Sequence, residues 1–269
     1  MSAADNYIEL NRRSWNARTD FHVKSDFYDV EGFLKGNTSL KEIELNLLGD
    51  LQGKSLLHLQ CHFGQDTLSL GRMGAQVTGV DLSDKAISQA NELAHKAGIP
   101  ADFICCDLYD LPQHLDKQFD IVFTSYGTIG WLPDLQKWGQ IISRFLKPGG
   151  RFVFVEFHPV VWMFDDNFKT VKYNYFNEGP IIETGNGTYA DRDAPIALEC
   201  VTWNHPLSEV LNSLIGNGLE INAFEEFDYS PFNCFNETIE VGSGKYRIKH
   251  LGNRIPMVYA LVATKKSEN

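Results

Sequence analysis

The sequence predicts an α/β chain built on a doubly wound, mostly parallel sheet. Three observations carry that expectation. Short apolar runs alternate with segments of helical periodicity from about residue 54 onward; the stretch from Lys54 to Asp81 reads as strand, tight turn, helix and strand; and the second of those strands stops on a carboxylate, Asp81. At 269 residues, with 43% hydrophobic and 22% charged, the chain suffices for one large α/β domain or a domain with a modest insertion.

Residues 5 to about 17 have Ile8, Leu10 and Trp15 partly on one face, which suits a short helix packed on the main body, or a lid. Phe21 to Val30 mixes aromatic and polar groups without a period, as does a strip that closes over a ligand or a surface loop with aromatic anchors. Helical spacing returns over residues 38 to 50 through Leu40, Ile43, Leu47 and Leu48, with Gly49 as a stop. Leu56 to Leu59 is too short for a helix and suits a buried parallel strand. A bend at Gly64 leads into a helix through Leu68 and Leu70, and Val77 to Val80 forms the next strand. Ser83 caps a helix to about His95, which Gly98 and Pro100 end. Strands follow at Ala101 to Cys106 and Phe119 to Ser125. Pro133 opens a helix with Leu135, Trp138, Ile141, Ile142 and Phe145 at spacings of three and four, stopping at Lys147-Pro148-Gly149-Gly150. Arg151 to Phe157 is a fifth strand. Pro159 to about Trp203 breaks the alternation with an aromatic-rich irregular stretch, of a length more often functional than idle. A helix from Leu207 to Ile215, a strand from Leu219 to Phe227, a second irregular stretch from Tyr229 to Pro256 and a last strand from Met257 to Thr264 complete the chain.

The formal net charge of −11, with no basic stripe, argues against a nucleic-acid partner. No run of 18 apolar residues and no signal-peptide core occur, so a cytoplasmic protein without membrane partners is expected. The five cysteines lack C-x-x-C spacing, and no Asp/His cluster stands at ligand spacing, so neither a disulfide framework nor a metal is expected. Gly242-Ser243-Gly244-Lys245 imitates a phosphate loop, but Tyr246 replaces the required hydroxyl residue.

Taken together, Val80-Asp81-Leu82-Ser83, Asp107 after the third strand, Phe119-Asp120-Ile121-Val122 and Leu146-Lys147-Pro148-Gly149-Gly150 resemble, in order and distance, a class I S-adenosylmethionine-dependent methyltransferase, specifically the uncharacterised bacterial small-molecule type. The resemblance covers residues 54 to 158 closely. It implies a Rossmann-like, seven-stranded sheet with an antiparallel last strand and helices on both faces. On the residues, a helical lid segment over 1–50 and a methyltransferase domain over 51–269 with substrate-lid insertions at about 159–203 and 229–256 are expected. S-adenosylmethionine is the implied cofactor, with Asp81 on its ribose hydroxyls, Leu82 on the adenine, and Asp107 or its neighbours Cys106 and Leu108 at the adenine edge. The family's first motif, an acid followed by three alternating glycines, corresponds here to His58, Gln60, His62 and Gly64, so Gln60, Cys61, His62, Gly64 and Asp66 are expected around the methionine part.

The carboxyl ends of strands four and five face the crevice of such a sheet, which makes Ser125, Tyr126, Glu156 and His158 candidates to line it. Ser125 is assigned to the cofactor; Tyr126, Glu156 and His158 are the catalytic candidates, with His158 as general base for an acceptor that must lose a proton. Trp131, Trp162, His205 and Tyr28 are the substrate-side candidates, against the alternatives of core aromatics and a turn histidine. Two other functions stay open on the residues alone: an NAD(P)-dependent oxidoreductase, which the missing G-x-G-x-x-G disfavours, and a non-catalytic module that binds S-adenosylmethionine.

Overall fold

Seven strands form the central sheet in the computed structural model, which describes residues 6–266. In chain order the elements begin with helices α1 (Tyr7–His22), α2 (Val30–Leu34) and α3 (Glu42–Leu48). Then come β1 (Ser55–Leu59), α4 (Gln65–Arg72), β2 (Gln76–Asp81), α5 (Asp84–Ala97), β3 (Ala101–Cys105), α6 (Leu111–His114), β4 (Phe119–Ser125), α7 (Leu135–Phe145) and β5 (Leu146–Phe157). The remainder is β6 (Ile181–Asn186), β7 (Ala197–Thr202), α8 (Leu207–Gly216), β8 (Leu219–Phe227), β9 (Thr238–Gly242), β10 (Lys245–Ile248) and β11 (Val258–Lys265).

The strand order is β3-β2-β1-β4-β5-β11-β8, and β11 runs antiparallel to both of its neighbours, as expected of the last strand. Alternation along the strands sorts side chains to two faces. Leu57, Leu59, Val122 and Phe154 pack with Trp138 of α7 and Val210 of α8, whereas Leu56, Ile121, Phe123 and Val153 pack with Leu48 of α3 and Leu70 of α4. Helices therefore cover both faces. The caps read from the sequence form as local chemistry dictates: the Ser83 hydroxyl accepts from Ala86 N, and Gly98 ends α5 in the left-handed region.

Two local expectations are corrected. The helix read over residues 5 to 17 extends to His22, because its buried face is polar, formed by Asn11, Ser14, Thr19 and His22, and leaves no apolar period to read. The two irregular stretches contain antiparallel ribbons, β6–β7 and β9–β10; β6 and β9 are mostly exposed and so lack the alternation that marks a half-buried strand. The false phosphate loop is the turn of the second ribbon.

The strand order reverses direction between β1 and β4, and a crevice opens there at the carboxyl ends of the strands. Helix α1 lies beside it, held by a reciprocal pair of hydrogen bonds between Asn11 and the Val201 backbone, at 2.8 and 3.0 Å.

Candidate active site

A cavity of about 1010 Å³ fills the crevice, at the upper end of the range for small-ligand pockets. Every site residue expected from the sequence lines it except His158.

One end is built on β1 and β2. Asp81, the last residue of β2, accepts from His62 N at 2.8 Å and from Ser83 N at 2.9 Å, so its carboxylate joins the turn after β1 to the cap of α5. Two of its roughly four lone-pair sites remain for a ligand. Burial raises its pKa to about 6, against the pull of those amides. The turn itself takes an unusual course. Gln60, His62 and Gly64 all lie in the left-handed region, at φ of 55, 51 and 75°. Gly64 has a packing reason as well, since a Cβ there would stand 2.7 Å from the Phe103 ring. Gln60 and His62 thus keep a backbone that glycine adopts freely, at a cost of about 1–3 kcal/mol each. Leu82, Cys106 and Leu108 add apolar surface, and Asp107 caps its own turn by accepting from Tyr109 N at 3.0 Å. Burial pushes the thiols of Cys61 and Cys106 up, in keeping with small apolar residues.

The other end is walled by aromatics. Trp15 meets Trp131 at 5.2 Å and His62 at 5.1 Å between ring centres, and the Arg18 guanidinium sits over both tryptophans at 5.3 and 5.5 Å. Tyr28 and Tyr189 join their hydroxyls, and Trp162 packs on Phe157 and Phe235. His22 Nδ1 lies 2.9 Å from His62 Nε2, and burial lowers both rings, His22 to about 3, so the pair is neutral. Sequence periodicity missed His22 because it sits in the aperiodic strip.

The catalytic candidates divide. His158 is turned away: β5 ends at Phe157, alternation lapses, and its Nε2 lies 2.9 Å from Glu226 of β8 while its backbone N donates to Met257 O. It is not the base of this cavity. Glu156 reaches the cavity, but its carboxylate accepts from the backbone N of Gly127, Thr128, Ile129 and Phe157 and from the Thr128 hydroxyl. It holds the loop after β4 and has no role as a free base. Tyr126, at φ 41°, donates its hydroxyl to Glu44 at 2.7 Å, and burial together with that carboxylate pushes its pKa up, so it holds its proton. His205 engages Leu132 O at 2.8 Å and Glu209 at 3.0 Å through its two ring nitrogens, which makes it the turn histidine of the alternative reading, though its ring lines the cavity. His58, bonded to Thr67 Oγ1 at 2.8 Å, is likewise a framework group. Among the described residues no group of three or more His, Cys, Asp or Glu side chains is arranged to hold a metal ion. None of the described helices is long and apolar enough to cross a membrane.

Glu44 went unread in the sequence because its partner lies 82 residues away. Burial, then repulsion from Asp66, raises it from 4.5 to about 7. Between those values the native chain keeps a proton that the unfolded chain releases, so stability falls as pH rises through that window and stays lower above it. Urea midpoints should therefore show a Glu44→Gln variant gaining on the wild type by up to about 3 kcal/mol between pH 4.5 and 7.5.

Residues 57–154 match a family model described as a methyltransferase domain. An uncharacterised methyltransferase of Synechocystis is 35% identical over 132 residues, 48% of this chain and 59% of the relative. A ubiquinone biosynthesis O-methyltransferase of Chromobacterium violaceum is 33% identical over 127 residues, 46% of this chain and 54% of the relative. The chain thus spans a little over half the length of these curated relatives. Among solved structures, an S-adenosylmethionine-dependent methyltransferase of Clostridium acetobutylicum superposes with a TM-score of 0.58 over 96% of this chain and 99% of that one, at 16% identity, which is a likeness of fold.

Proposed function

Because this chain belongs to the class I S-adenosylmethionine-dependent methyltransferases, we propose that it methylates a small-molecule acceptor held against the aromatic wall of the cavity. The observation that carries the reading is the direct link between Asp81 and the turn after β1, which leaves a half-satisfied carboxylate facing a cavity with room beside a cofactor. S-adenosylmethionine, when bound, supplies a methyl carbon already activated by a sulfonium. The residues present fit it. Asp81 has lone pairs for ribose hydroxyls, Leu82, Cys106 and Leu108 give an apolar seat for the base, and the turn from Gln60 to Gly64 borders the amino-acid part.

The contribution of the chain is alignment. Glu156 fixes the loop that carries Trp131, and α1 brings Trp15 and Arg18 over the acceptor end, so an acceptor is oriented and water kept out. Placement of this kind supplies roughly 7–11 kcal/mol of a barrier. A small acceptor is favoured because α1 and the β6–β7 ribbon close over that end and the net charge is −11. Oxygen methylation in ubiquinone biosynthesis, the activity for which one relative is named, is an example of such a reaction.

Titration calorimetry with S-adenosylmethionine and S-adenosylhomocysteine should give saturable binding. Incubation with a small-molecule extract should release S-adenosylhomocysteine together with a product heavier by one methylene, read by mass spectrometry. Absence of binding by either compound overturns the reading; binding without any methylated product favours a module that has lost turnover.

A further inference from the structure

The arginines of α1 are not alike. Arg12 and Arg13 pair with Glu9. Arg18 lines the cavity, and no carboxylate stands within 4.0 Å of it among the described residues. Ser14 Oγ accepts from its Nη1 at 2.6 Å and Cys200 Sγ from its Nη2 at 3.2 Å, which pins the guanidinium between α1 and β7, over the rings of Trp15 and Trp131. Donors are left over at this spot. The Nε–H of Arg18 and the indole N–H of Trp15 have no acceptor among the described residues, and neither nitrogen is closed off by its surroundings.

The groups that Arg18 acts on cannot answer its charge. Burial, then Arg18, lowers His22; burial, then His22 and Arg18, lowers His62; and burial raises Tyr189 to about 12 against the pull of Tyr28 and Arg18. All three are uncharged at neutral pH. Stacking on the two indoles steadies the guanidinium but supplies no counter-charge. The missing partner is an anion with two acceptors in one plane, which a carboxylate offers to the fork of an arginine. A phosphate would set a second negative charge against one guanidinium in a chain of net charge −11. Lys41, the other lysine or arginine lining the cavity, is held over the Phe232 ring at 4.9 Å. The flat walls of Trp15 and Trp131 favour a flat molecule behind the acid.

We propose that Arg18, with the indole N–H of Trp15, receives a carboxylate on the acceptor, so that the acceptor is a planar carboxylic acid. That the acid accepts methyl rests on the methyl-transfer reading; its recognition by Arg18 does not. The cofactor's own carboxylate is the competing anion. Its seat is read at the turn after β1, whereas Arg18 hangs from α1 and β7, which close the acceptor end.

Calorimetry on wild type and Arg18→Gln, both saturated with S-adenosylhomocysteine, uses benzoate, cinnamate and indole-3-acetate, each beside its primary amide. The wild type should bind at least one acid about 10-fold or more tighter than its amide, and Arg18→Gln should weaken that acid by about 10- to 100-fold and its amide by less than about 3-fold. No preference for any acid in the wild type, or a preference that survives in Arg18→Gln, overturns the proposal. S-adenosylhomocysteine and 5′-methylthioadenosine, which lacks the amino-acid part, are also titrated alone. If Arg18→Gln weakens the first and spares the second, Arg18 serves the cofactor, and the proposal is overturned. Should the wild type bind neither adenosyl compound, the methyl-transfer reading falls, and the acids against their amides on the free chain decide the anion recognition. If Arg18→Gln does not fold, Trp15→Phe decides, since it keeps a ring beside the guanidinium and removes the N–H. The preference for acid over amide should then shrink by about 3- to 10-fold, and an unchanged preference overturns the proposal.

Discussion

Asp81→Ala should lower the affinity for S-adenosylhomocysteine by at least about 100-fold in calorimetry. The loss has two parts. Hydrogen bonds to a charged group are worth about 1.5–3 kcal/mol each, and the carboxylate has lone pairs left for two ribose hydroxyls. The same carboxylate also accepts from His62 N and Ser83 N, so its removal orphans two amides and loosens the turn that borders the rest of the ligand. Asp81→Asn, which keeps one acceptor, should fall between. An Asp81→Ala affinity within a few-fold of the wild type would mean that the cavity holds its ligand elsewhere.

The second large effect is on stability. Glu156 is buried and accepts from five donors, four of them backbone amides. Glu156→Ala leaves all five unmatched, and breaking a buried charged network costs about 3–5 kcal/mol. At roughly 2–4 °C per kcal/mol for a domain of about this size, thermal unfolding should drop by about 6–20 °C. Because the loop held by Glu156 carries Trp131, near-ultraviolet circular dichroism should report a changed tryptophan environment at temperatures where the sheet is intact. A melting point within about 2 °C of the wild type would remove Glu156 from this role.

The sheet was legible because each parallel strand is a short apolar run between turn formers, and Asp81 and Gly64 were legible because they punctuate it. Lining of the cavity followed from that frame, since the carboxyl ends of β1, β2, β4 and β5 converge at one crevice. Chemistry of individual groups was not legible. Glu156 and His158 look equivalent in sequence, two apart at a strand end, yet one is closed in by amides and the other is turned to β8, because alternation stops where the strand stops. Helix α1 hid its inner face by making it polar, and the Glu44–Tyr126 contact joins segments with no local signature of each other.

The left-handed backbone at Gln60 and His62 bears on how this protein would respond to selection in the laboratory. Glycine at either position would relieve about 1–3 kcal/mol of local strain, but it would also forfeit the Gln60 hydrogen bond to Thr128 O or the His62 contacts with His22 and Trp15, losses of similar size. A screen for heat resistance would therefore pass over these two codons, because the side chains that strain the backbone are the ones that tie the turn to its neighbours. The strain is held in place by the contacts it makes possible.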